Sequence, residues 1–155
     1  MPRARDEEVR GTGDGGAGAG QPLPITKLRG LSPALRRALK ARRITTCPRL
    51  LAAAGPAGAR AALAREAGVD PEELLALVNR ADMARVVGLG VVFQMMVEEL
   101  GVADLAALAG AGPVELHARL RALNAEERIA RRSPTPEEVE DWVRQARGLP
   151  PLVGY

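Results

Sequence analysis

The feature that most constrains this chain is that it starts its helices twice in the same way. Asp70-Pro71-Glu72-Glu73-Leu74 and Thr135-Pro136-Glu137-Glu138-Val139 stand 65 residues apart. In each, a short polar side chain can accept a backbone N–H, and proline brings a preset φ to the first helical position. Two acids then face the positive end of the helix dipole. Earlier segments recur at a shorter spacing. Gly88 lies 58 residues after Gly30, Val97 58 after Leu39 and Val102 58 after Ile44, while Ala111-Gly112-Pro113 follows Ala54-Gly55-Pro56 by 57. An insertion around Asn124 to Ser133 would account for the drift. We read an internal duplication, with repeat 1 over about 23–82 and repeat 2 over about 83–155. Neither half has the apolar content to close a core alone, so the two are expected to pack as one small domain with pseudo-two-fold symmetry.

The fold class follows from what fills the apolar positions. These are mostly Ala, Leu and Val, and the only aromatic residues are Phe93, Trp142 and Tyr155. Small side chains suit closely packed helices, whereas a β-sandwich draws on β-branched and aromatic residues. The expected fold is all-α. Residues 1–22 are charged and then glycine-rich, with nothing to bury, and read as a disordered tail. Residues 23–155 form the folded part.

Along that part, Ser32-Pro33 opens a helix to about Arg43 that buries Leu35 and Leu39. Thr46-Cys47-Pro48 opens a shorter one, stopped at Gly55-Pro56, and the next runs from Pro56 to about Ala67. Asp70 caps a further helix, with Glu73 expected to reach back as a capping box. A second box, Asn124 to Glu127, is expected to begin a small extra turn. The terminal Leu149-Pro150-Pro151-Leu152-Val153-Gly154-Tyr155 cannot continue a helix and is apolar enough to dock back on the bundle.

Gly88-Leu89-Gly90 is the tightest point. Two glycines around one apolar residue allow a turn that a Cβ would forbid, the leucine can face inward, and the next helix begins with unpartnered N–H groups. This is the logic of a helix-hairpin-helix element, with the Gly30 turn as its first copy. Val91, Val92 and Met95 or Met96 are assigned to the core, with an exposed partner surface as the alternative.

The segments Leu28-Arg29-Gly30-Leu31-Ser32-Pro33, Asn79-Arg80-Ala81-Asp82-Met83, Gly88-Leu89-Gly90, Glu137-Glu138-Val139-Glu140-Asp141-Trp142 and Leu149-Pro150-Pro151 together resemble the bacterial family of domain of unknown function 4332. The resemblance spans roughly Leu23 to Tyr155. It implies an all-α fold related to tandem helix-hairpin-helix modules, without enzymatic activity. In the wider group, G-h-G amides meet nucleic-acid phosphates. Two positions here differ from that pattern. Ser32 stands where a second glycine is usual, and Val91, Val92 and Phe93 follow Gly90 where DNA binders place a basic residue.

Charge separates the repeats. From Ile25 to Arg65 there are ten basic residues and no acidic one: Lys27, Arg29, Arg36, Arg37, Lys40, Arg42, Arg43, Arg49, Arg60 and Arg65. Arg36, Lys40 and Arg43 fall at i, i+4 and i+7, which places them on one helix face opposite Leu35 and Leu39. Beside the Gly30 turn, such a stripe suits consecutive phosphates. The expected nucleic-acid contacts are Arg29, Gly30, Ser32, Arg36, Arg37, Lys40 and Arg43. Gly88, Leu89 and Gly90 are expected to be structural, with a possible phosphate contact. Between Val91 and Asp104 the charges are all acidic, Glu98, Glu99 and Asp104, so phosphate would be repelled there.

No cofactor or metal is expected. His117 is the single histidine without ligand spacing around it, and Cys47 is the single cysteine, which points to a reducing cytoplasm. No segment is apolar for long enough to span a bilayer. The function expected from the residues is a non-catalytic module that binds the DNA or RNA backbone without reading sequence. The alternative is a scaffold that meets an acidic protein partner. No catalytic residues, small-molecule substrate or membrane are expected.

Overall fold

Proline and a capping oxygen decide where most of these helices begin. The computed structural model describes residues 22–155; the expected tail, apart from Pro22, lies outside the described residues. After a short 3-10 turn over Ile25–Lys27 come eight α-helices: α1 (Pro33–Ala41), α2 (Cys47–Ala54), α3 (Ala57–Ala67), α4 (Pro71–Met83), α5 (Gly90–Glu99), α6 (Leu105–Ala109), α7 (Pro113–Glu127) and α8 (Pro136–Gly148). Among the described residues the only β pairing is one isolated bridge between Pro24 and Thr46. The chain is all-α, as its composition predicts.

Ser32, Thr46, Asp70, Asp104 and Thr135 each accept a backbone N–H of the helix they open. Thr135 and Glu138 form a full capping box, with Glu138 N donating to Thr135 Oγ1 and Thr135 N to Glu138 Oε1. The box expected at Asp70 does not form. Asp70 accepts from Glu72 N, and the Glu73 carboxylate turns away to accept from the Ser32 hydroxyl at 2.7 Å. The extra turn expected from Asn124 is absent as well. α7 runs straight through Asn124, whose side chain accepts from Ala130 N and ties down the chain as it leaves the helix.

The two halves carry helices in the same order, of 9, 8, 11 and 13 residues and then of 10, 5, 15 and 13. Backbone details recur at the 58-residue offset. Leu28 N donates to Ile25 O as Val86 N does to Met83 O, and Ile44 N to Leu39 O as Val102 N does to Val97 O. Positive φ recurs at Gly30 and Gly88, and at Arg43 and Gly101.

The buried apolar side chains form two clusters rather than the single shared core expected. One runs from Ile25 to Ala81 and centres on Leu35, Leu39, Leu50, Leu74 and Leu77. The other runs from Met83 to Ala146 around Leu89, Met96, Leu108, Leu120 and Trp142. Burying one such leucine contributes about 1.5–3 kcal/mol, so each cluster is a substantial source of stability. In the first half α2 packs on α3 and α4; in the second, α8 packs on α6 and α7. The halves meet where α4 packs on α6.

The C-terminal segment docks back, as its apolar content predicts. Gly154 N donates to Gly55 O. The buried Arg60 guanidinium donates to Ala54 O, Gly55 O and Gly154 O. Within the second half Arg85 donates to Pro150 O at 2.7 Å, and Tyr155 donates across to Asn79 Oδ1 at 2.8 Å. The end of the second half is thereby fastened to the first.

Candidate functional site

α1 is amphipathic by sequence, and its burial follows. Leu35 and Leu39 are buried, while Arg36, Arg37 and Lys40 are exposed and line a shallow groove with Leu31 and Pro33. Arg42, Arg43 and Arg49 are also exposed. None of these six cations forms an ion pair among the described residues. Arg42 donates to Ala38 O and Arg49 to Arg43 O, contacts with neutral carbonyls that leave both charges uncompensated.

The three-residue stripe expected on α1 needs correcting. Arg36 and Lys40 share the helix, but α1 ends at Ala41 and Arg43 takes φ +59 in the turn beyond it. An i+7 relation holds only while the helix continues. Arg43 therefore adds charge at the end of the stripe rather than extending it.

The Gly30 turn differs more from expectation. At φ +79 it packs against Arg80, and a Cβ there would lie 2.5 Å from Arg80 Nη1. That guanidinium donates to Arg29 O at 3.0 Å and holds Glu98 through Nε and Nη2. Ser32 spends its hydroxyl on Glu73 while accepting from Leu35 N at 3.2 Å. The glycine thus makes room for a bridge between the halves. Glu73 sets a carboxylate at the start of α1, where it opposes phosphate. Arg29 meets Glu99 at 3.3 Å with both side chains nearly half exposed, a pairing worth under about 1 kcal/mol in water.

Gly88-Leu89-Gly90 forms the tight turn expected: both glycines have positive φ and Leu89 is fully buried. Gln145 holds this turn from outside, accepting from Val87 N and donating to Val87 O, each at 2.8 Å. Below it Phe93 packs on Trp142 at 5.4 Å between centroids. Met96 is buried, but Val91 and Val92, assigned to the core, are 40% and 42% exposed. Gln94 is buried and donates to Arg80 O at 2.9 Å.

Three residues that sequence reasoning missed organise these surroundings: Arg80, Gln145 and Arg60. Arg60 is one of the ten basic residues between Ile25 and Arg65, yet it is buried on three carbonyls. Arg80 belongs to the Asn79–Met83 segment, whose polar members all serve joints: Asn79 to Tyr155, Arg80 to Glu98 and Asp82 to Arg85. The Arg80 hydrogen bonds hold the Glu98 carboxyl below its ordinary range. Burial raises that of Asp82 against the pull of Arg85. Burial also pushes the Cys47 thiol up to about 11, so at neutral pH it is an unreactive thiol. Among the described residues no three His, Cys, Asp or Glu side chains gather as metal ligands, and no helix is long and apolar enough to cross a membrane.

The fold defines a small all-helical module with exposed cations, unpaired among the described residues, on and just beyond α1. Residues 29–149, more than half of the chain, match the family described as Domain of unknown function (DUF4332), and the chain belongs to that family. Neither a curated protein nor a solved structure matches it.

Proposed function

We propose that this chain is a non-catalytic module that binds the backbone of nucleic acid, DNA in the first place, without reading sequence. We read its halves as tandem helix-hairpin-helix repeats of a bacterial cytoplasmic protein, with the first repeat making the contact. The observation that carries the reading is the set of uncompensated cations at α1 and just beyond it: Arg36, Arg37, Lys40, Arg42, Arg43 and Arg49. Long flexible cations on one exposed edge suit a row of phosphates. Contacts to phosphate position a protein on the duplex without reading its bases. The contact set is narrower than the residue pattern alone suggests, because Ser32 and Gly30 are engaged by Glu73 and Arg80.

A second reading is an acidic protein partner on the same cations. What favours it is the apolar floor that Leu31 and Pro33 give the α1 groove, which phosphates do not require.

Titration of labelled duplex DNA at several salt concentrations separates the two. Four or so neutralised phosphates give a log–log salt slope of about −4. Replacing Arg36 and Lys40 together by Glu is expected to abolish binding without lowering the melting temperature, since both side chains face away from Leu35 and Leu39. An absence of binding at low salt overturns the nucleic-acid reading and leaves the protein partner.

A further inference from the structure

Val87 is 61% exposed, Val91 40% and Val92 42%, around the Gly88–Gly90 turn at the start of α5. Val91 and Val92 stand between two grooves. One is bounded by Lys27, Leu28 and Met95; the other, of about 510 Å3, by Phe93, Ile129 and Arg131. Scattered exposed valines need no explanation, but Val91 and Val92 line both grooves, and with Val87 exposed across the turn they make a recognisable docking surface. A solvated helix face has no use for it, and phosphate gains nothing from desolvating a valine.

The surrounding charge says what kind of partner fits. Among the described residues Glu98, the one acid lining either groove, is matched by Arg80, and Glu99 and Glu138 are matched by Arg29 and Arg132. Lys27 and Arg131, one in each groove, form no ion pair among the described residues, so both flanks carry surplus positive charge. The surface is also preformed, because Gln145 fixes both polar groups of the Val87 backbone and Leu89 is locked inside. Little ordering cost remains to be met on binding.

We propose that this surface docks an acidic amphipathic protein segment, whose apolar side chains cover Val87, Val91 and Val92 and whose carboxylates meet Lys27 and Arg131. The surface is distinct from the α1 cations, and the proposal stands apart from the nucleic-acid reading.

The test is amide NMR of the full chain with a synthetic helical peptide that carries leucines on one face and aspartates along its flanks. Two control peptides replace the aspartates by lysines or the leucines by serines. The acidic leucine peptide is expected to shift the resonances of Val87–Met95 and Arg131, and neither control to do so. Val91→Ser with Val92→Ser, and separately Lys27→Glu with Arg131→Glu, are each expected to weaken it about tenfold or more with an unchanged melting temperature. No shift, or shifts elsewhere only, overturns the proposal. Equal binding of the lysine peptide overturns the charge complementarity on which it stands. If short duplex DNA produces the same shifts and the serine substitutions leave them intact, the surface is a phosphate contact and the proposal fails.

Discussion

Gly30 and Gly90 have similar φ and unlike surroundings. Both sit at positive φ, but a Cβ on Gly90 would meet open space, whereas one on Gly30 would collide with the Arg80 guanidinium. Gly90→Ala therefore carries only the conformational cost, about 1 kcal/mol. Gly30→Ala adds displacement of a half-buried arginine from Arg29 O and Glu98, and is expected to cost about 2–3 kcal/mol. Thermal melts of the two variants give the order; a larger loss for Gly90→Ala would mean that Arg80 moves aside freely. The need for glycine was legible at Gly90 from the G-h-G pattern and at Gly30 from its place 58 residues before Gly88. The reason at Gly30 was not, because Arg80 arrives from fifty positions along the chain and no local rule places it there.

Between elements, the Arg80–Glu98 pair joins α4 to α5, and its linkage to pH has a definite sign. Glu98 has a folded pKa below its ordinary value of 4.5, chiefly through the Arg80 hydrogen bonds. Glu138, bonded to Arg132 and then to Thr135 N, falls to about 2. A carboxyl with a lowered folded pKa adds stability above its unfolded pKa and loses it as pH falls through the folded one. Asp82, raised by burial, works in the opposite sense and offsets part of the loss. The melting temperature is expected to fall as pH drops from about 4.5 towards 2. Glu98→Gln should melt lower at neutral pH and decline less over that window; an equal decline would show that Glu98 is not a source of it. Helix starts were the most legible elements, because a cap and a proline act within four residues. Asn124 misled for the same reason: it has the residue type of a cap but follows directly on the apolar period of Leu116, Leu120 and Leu123, inside a helix already under way. Val91 and Val92 misled because an apolar run at a helix start reads as core until the burial of Leu89 has rotated the face outward.

At the scale of the molecule, two apolar clusters are joined by the contact of α4 with α6, by Val153 and by polar joints rather than by a common core. The recurrence of turns and positive φ at the 58-residue offset could be read from the sequence, since backbone geometry follows local sequence. How the halves are fastened could not be read, because the fastenings are long-range hydrogen bonds to carbonyls, which every residue has. The C-terminal segment is the clearest of them. It closes on Gly55, Arg60 and Asn79 of the first half after leaving α8 of the second. Removing residues 150–155 would strip Gly154 O from the buried Arg60 guanidinium and uncover Gly55 O and the partly buried Val153 contacts of the first cluster. A buried charge that loses one of its acceptors costs about 1–3 kcal/mol, so the shortened chain should melt lower than the full one. Arg60→Met in the full chain tests the same joint from the other side: it removes the charge along with its need for partners, and should cost less than the deletion. If the deletion leaves the melting temperature unchanged, the segment is a passenger on the surface and the halves are joined by α4, α6 and the Arg80 bridge alone.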